Sequence, residues 1–125
     1  MSPKEIEQRK PIWIAISDFY LDTELDDVSF KYIAKKIHES TFTFEEVKQI
    51  DRTDVFPVLY GNLLTVAGIW SGFNEEWLVP TIIENLSKQN TLSRFFLKIK
   101  YRLFRWMYKE YWEKLEYFHK TFKHQ

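Results

Sequence analysis

Apolar residues recur at three- and four-residue intervals along almost the whole chain, the period of a helix that buries one side. The longest such pattern runs from Thr91 to Lys123 without Gly or Pro. In it Phe104, Tyr108, Tyr111, Leu115, Phe118 and Phe122 step alternately by four and three residues. Leu92, Phe96, Ile99 and Leu103 repeat that rhythm with an offset of one residue. The two seams predict one long C-terminal helix over 91–123, core-facing along both, that bends or changes partner near Leu103.

The earlier segments are shorter. Pro11 stands where a first-turn proline is tolerated, and Trp13, Ile16, Tyr20 and Leu21 follow at helical spacing. The β-branched run Ile12 to Ile16 also fits a buried strand; the spacing favours a helix. Asp26 or Asp27 is placed to cap a helix that turns Val28, Phe30, Ile33, Ala34 and Ile37 inward. Thr43 and Glu46 form a T-x-x-E capping box before Phe44, Val47 and Ile50. Asp54 to Thr65 reads as another short helix with Val58, Leu59, Leu63 and Leu64 as core, and Gly68 and Gly72 bracket a tight connector. Asn74 is a good N-cap for a helix over 75–87 that contains Pro80. No alternating strand with a hairpin turn stands out. The expected fold is all-α: a single-domain orthogonal bundle of five or six helices over residues 1–125, with a long C-terminal helix.

Composition narrows the class. The chain of 125 residues has no cysteine, which excludes disulfides, thiolate metal sites and a thiol nucleophile. No apolar run approaches a membrane span, and Met1 to Lys10 is charged, so a cytoplasmic protein is expected. Aromatic residues reach 18% while Gly numbers only 3, so the core must be built largely from rings. Net charge is zero but uneven: residues 1–87 hold 15 acids and 8 bases, residues 88–125 hold 3 acids and 10 bases. A body of charge −7 carries a tail of charge +7.

Catalytic chemistry is hard to assemble from these residues. The histidines are His38, His119 and His124, and no H-E-x-x-H, Gly-rich phosphate loop or G-x-S-x-G occurs. Glu116 and His119 form a lone E-x-x-H pair, which a di-iron bundle would need twice, so a solvated helix face is the better reading. No enzyme, metal or cofactor is expected; the alternative on this side is a regulator or enzyme whose site is assembled from scattered residues that the sequence does not reveal.

Three features bear on binding. Arg94, Lys98, Lys100, Arg102, Arg105 and Lys109 interleave with Phe95, Phe96, Tyr101, Phe104 and Trp106, and no acid separates them. Such a helix suits nucleic acid or an anionic surface, with Arg94, Lys98, Arg102 and Arg105 as anion contacts. The zero net charge favours the plainer alternative, in which the rings are core and the cations pair with the acidic body. Asp18, Asp22, Glu24, Asp26 and Asp27 lie together without a base, a cluster that a cationic partner would relieve; Glu45, Glu46, Asp51 and Asp54 extend it if the helices pack side by side. Trp70 to Trp77 is an aromatic connector that plugs the bundle's end or anchors a partner.

The segment Trp13-Ile14-Ala15-Ile16-Ser17-Asp18-Phe19-Tyr20-Leu21-Asp22-Thr23-Glu24 resembles a family of small bacterial proteins of uncharacterised function with a W-x-A-x-S-D-x-x-L-D-T-E pattern. Val55 to Leu59 and Trp70-Ser71-Gly72-Phe73-Asn74-Glu75-Glu76-Trp77 match its later elements, so the likeness covers roughly residues 9–86 and leaves the basic tail outside. In size and character the chain is also similar to immunity proteins of contact-dependent inhibition and other polymorphic toxin systems. That likeness implies a binding protein that occludes the active site of a cognate toxin, with a nuclease domain the best match for an acidic face. Under it Asp18, Asp22, Glu24, Asp26 and Asp27 meet toxin cations, and Tyr20, Trp70 and Trp77 serve as anchors.

Overall fold

Ser2 and Pro3 start the first helix eight residues before the position expected. The Ser2 hydroxyl accepts from the Glu5 amide at 3.2 Å, and Pro3 occupies the first turn. Pro11 is therefore interior, and it is tolerated because it and Glu7, whose carbonyl it leaves without a donor, are both on the solvent side. The computed structural model describes residues 1–21, 24–63, 68–69 and 71–123. Among them the chain forms α1 (Pro3–Ser17), α2 (Asp27–Glu39), α3 (Phe44–Ile50), α4 (Phe56–Leu63), α5 (Glu75–Lys88), α6 (Thr91–Phe104) and α7 (Lys109–Lys123). Short 3-10 turns lie at Asp18–Tyr20 and Arg105–Met107, and a π-helical turn at Asp51–Val55 joins α3 to α4 without a break. The fold is a single-domain helical bundle, with six helices if α3 to α4 is counted as one.

Each predicted cap within the described residues is made. Asp26 accepts from the Ser29 amide at 2.9 Å, Thr43 and Glu46 close their reciprocal box, and Asn74 accepts from the Glu76 amide at 2.8 Å. Gly72 has φ of +119°, a conformation that side chains resist, which explains the glycine in the connector. Gly68 is needed for space, because a Cβ there would stand 2.7 Å from the Asn62 carbonyl oxygen. Asn62 pins this connector: its amide group donates to the Tyr20 carbonyl at 2.6 Å and its oxygen accepts from the Ile69 amide at 2.7 Å. Leu64 and Thr65, expected to end α4, lie outside the described residues, as does Trp70.

Aromatic rings build the core, as the composition requires. Trp13, Phe19, Tyr20, Phe30, Phe56 and Tyr108 are all buried. α2 lies along α7, and Phe19 joins them, with its ring 5.0 Å from Trp112, 5.4 Å from Tyr111 and 6.2 Å from Phe30. The seam Phe104 to Phe122 faces inward, with Tyr108 and Leu115 fully covered and the others partly so. Val28 was expected in the core and is exposed, in the first turn of α2 two residues after its cap.

The π-turn has a traceable cause. Pro57 has no amide to offer the carbonyl of Thr53, four residues earlier, and its ring crowds that carbonyl. The helix widens over Asp51–Val55, with the Phe56 amide bonded back to the Asp51 carbonyl. The Gln89 side chain, just beyond α5, donates to the Thr53 carbonyl at 2.8 Å and replaces the missing partner. Gln89→Ala is expected to leave this carbonyl orphaned and to lower stability by about 1–2 kcal/mol in urea unfolding. A loss below about 0.3 kcal/mol would mean that water substitutes for Gln89.

Candidate functional site: a basic, aromatic helix on a buried carboxylate anchor

The π-turn points two carboxylates into the bundle. Asp54 accepts from Arg9 Nη1 at 2.8 Å, from Trp13 Nε1 at 2.8 Å and from the Thr53 hydroxyl at 2.6 Å. Asp51 accepts from the Tyr20 hydroxyl at 2.6 Å and the Tyr101 hydroxyl at 2.9 Å. Both are buried, so they do not extend an acidic surface as the sequence suggested; they tie α1, the π-turn and α6 together. Burial pushes Asp51 up to about 7 against the lowering effect of its two tyrosine donors, and the neighbouring Asp54 adds a smaller push. Arg9, at the edge of the interior, thus pairs with one buried carboxylate, and the second favours its proton. Tyr20, Tyr101 and Tyr108 in turn have their ionisation pushed up, chiefly by burial and next by Asp51. The clue in the sequence was that Val47, Asp51, Asp54 and Val58 step by four, three and four, which sets two acids on an apolar seam.

Tyr101, Leu97 and Phe104 are the side chains by which α6 leans on the body, and no residue of α6 is fully buried. Lys100 adds a contact to Tyr60, and the larger apolar side of the helix is left uncovered. Leu92, Phe95, Phe96, Ile99 and Leu103, with Trp106 in the following turn, are between 43% and 73% exposed. The seam Leu92, Phe96, Ile99 and Leu103, expected in the core, faces solvent, because the helix is turned so that Tyr101 reaches Asp51. The bend anticipated near Leu103 is the 3-10 turn at Arg105–Met107 that separates α6 from α7.

The cations do not pair with the body either. Among the described residues Arg94, Lys98, Lys100, Arg102 and Arg105 make no ion pair, whereas seven other bases do. A groove of about 420 Å3 between the π-turn and α6 is lined by Arg52, Phe95, Lys98, Ile99, Tyr101, Arg102 and Arg105, with no acid among them. Arg52, Phe95 and Lys98 also line a second recess, which holds Arg94 and the ion pair of Arg9 with Asp54. Arg52 projects outward from between the two buried aspartates and faces both spaces, a role its place in the sequence did not reveal.

The acidic run is less of a surface than the sequence implied. Asp18 is half-buried, which raises its pKa, and Asp26 is occupied as the α2 N-cap, whose amide bonds hold its carboxyl below the usual range. Glu24 and Asp27 are exposed, and Asp22 lies outside the described residues. Tyr20 is corrected: it is buried against Asp51 and Tyr108 and presents nothing to a partner. Trp77 is exposed and stacks on Phe73 at 6.4 Å. His119 is also corrected, since it is buried with its ring 5.4 Å from Phe44 and is not on a solvated face. Among the described residues no three His, Asp or Glu side chains converge as a metal site.

The comparison with protein families bears on which of these surfaces belongs to the fold itself. The family model of a domain of unknown function, DUF7079, matches residues 7–118. The chain belongs to the DUF7079 family. The match takes in α6 and most of α7, so the basic helix is part of the DUF7079 domain and no appendage to it. No curated protein and no solved structure matches the chain.

Proposed function

We propose that this DUF7079 protein acts by binding an anionic partner, and that α6 with its basic groove is the working surface. The observation that carries the reading is the set of Arg94, Lys98, Arg102 and Arg105, all unpaired with acids among the described residues and gathered beside Arg52. Unneutralised cations that close together repel one another and lower the stability of the fold, a cost that an anionic ligand removes. The bundle supports the arrangement from below, since Tyr101 fixes the helix and Arg9 neutralises Asp54.

Retention on an immobilised polyanion such as heparin tests the reading. Net charge is zero, so retention of the wild type at physiological salt requires a local basic surface. The variant with Arg94, Lys98, Arg102 and Arg105 all changed to Gln is expected to flow through while keeping its helical circular dichroism. Equal retention of variant and wild type would remove α6 as the site.

A second reading, of an immunity-type protein that occludes a toxin nuclease domain in the cytoplasm, draws its support from the exposed Glu24 and Asp27 and from the exposed ring of Trp77. Changing Glu24 and Asp27 to Lys, with the Asp26 cap left in place, is expected to abolish capture of such a partner under that reading and to leave heparin retention undiminished under the first.

A further inference from the structure

We infer that α6 docks flat on an anionic lipid surface, with its apolar stripe among the acyl chains and its basic flank on the headgroup phosphates. The inference rests on the reading of α6 as the working surface and names what covers it. At 3.6 residues per turn Leu92, Phe95, Phe96, Ile99, Leu103 and Trp106 fall within one stripe about 100° wide, nearly opposite the Leu97, Tyr101 and Phe104 face that holds the helix to the body. Arg102 and Lys100 border the stripe on its two sides, with Lys98 next beyond Arg102, while Arg94 and Arg105 lie farther round, towards the body. An interfacial helix has this cross-section, with leucine and aromatic side chains below and bases whose stems reach up along the sides to phosphate.

Length and direction agree with a helix lying on a membrane. α6 has 14 residues, about 21 Å at 1.5 Å per residue, and among the described residues no helix is long and apolar enough to cross a membrane. Because the stripe points away from the body, the bundle does not obstruct a flat surface. Charge separates lipid from the other occupants. A second copy of the chain, seated stripe to stripe, would bring two sets of unpaired cations together. Nucleic acid would satisfy the cations and stack on Phe95, yet it would leave Leu92, Ile99 and Leu103 without an apolar partner.

The experiment is co-sedimentation of the full chain with vesicles of phosphatidylcholine alone and of phosphatidylglycerol mixed with phosphatidylcholine, alongside anisotropy with a labelled single-stranded oligonucleotide. The wild type is expected to pellet with the anionic vesicles, at least tenfold more than with the neutral ones, and less as salt is added. The variant Ile99→Ser, Leu103→Ser, Trp106→Ser alters only exposed positions, so it is expected to keep the wild-type melting temperature and to lose vesicle binding. Full vesicle binding by that variant would overturn the stripe as the contact. Oligonucleotide binding without vesicle binding would overturn the lipid inference and leave the anionic-partner reading intact. Binding to neither vesicles, oligonucleotide nor heparin would overturn both. A dimer in light scattering that the triple variant returns to monomer would assign the stripe to a second copy instead.

Discussion

Asp54→Ala is expected to cost about 3–5 kcal/mol of folding free energy, measured as a fall in the urea midpoint at unchanged slope. The carboxylate is 1% exposed and takes three hydrogen bonds, from Arg9, Trp13 and Thr53. Removing it strands the Trp13 Nε1 donor in the interior and leaves Arg9 with no charge to answer its own. Arg9 is 26% exposed and can turn to water, which limits its share of the loss; Trp13 is fully buried and cannot. Asp54→Asn keeps an acceptor for Trp13 and is expected to lose roughly half as much. For a domain whose whole stability is about 5–15 kcal/mol, the alanine change consumes much of the margin. A loss under about 1 kcal/mol would show that the three bonds merely replace equivalent ones to water.

Asp51 gives the second large effect, and its sign is opposite to that of a paired surface carboxylate. Its pKa is pushed from the ordinary 3.8 up to about 7, chiefly by burial. Between those two values the folded chain holds a proton that the unfolded chain has released, so stability falls as pH rises through this window and levels off above it. At 1.36 kcal/mol per pKa unit the contribution is on the order of 4 kcal/mol. Asp51→Asn cannot ionise and is expected to remove that slope, becoming the more stable protein near pH 8 relative to its standing at pH 4. Denaturation of both proteins across pH 4–8 checks this. A difference between them that stays constant with pH would mean that Asp51 ionises normally inside the fold.

These two aspartates bear on the proposed function as well as on stability. Tyr101 donates to Asp51 from α6 and also lines the basic groove, so it joins the buried anchor to the binding surface. Through it, the orientation of α6, and with it the direction of both the apolar stripe and the basic flank, is set from inside the bundle.

Most of the helices were legible in the sequence because their signals are local. The Thr43–Glu46 box, the Asp26 and Asn74 caps and the glycine at Gly72 each act within a few residues, and the structure uses all of them. The start of α1 was misplaced because two prolines compete for the first-turn position, and only Pro3 has a serine cap in front of it. The sequence misplaces His119 and Tyr20 on surfaces because spacing along a helix does not say which neighbour closes over a given side.

The helical class, the caps, the aromatic core and the uneven division of charge can be read off the chain, since each depends on composition or on residues within one turn. Tertiary structure alone decided which face of α6 turned inward. Two apolar faces compete on that helix, Leu97 with Phe104 and Leu92 with Phe96, Ile99 and Leu103, and periodicity alone would turn the second, larger one inward. The choice falls to Tyr101, on the first face, because its hydroxyl meets a buried carboxylate fifty positions earlier in the chain. A buried carboxylate gains from each donor, and Tyr101 adds the second after Tyr20; that bond leaves the larger apolar face, with its unpaired cations, turned to the outside.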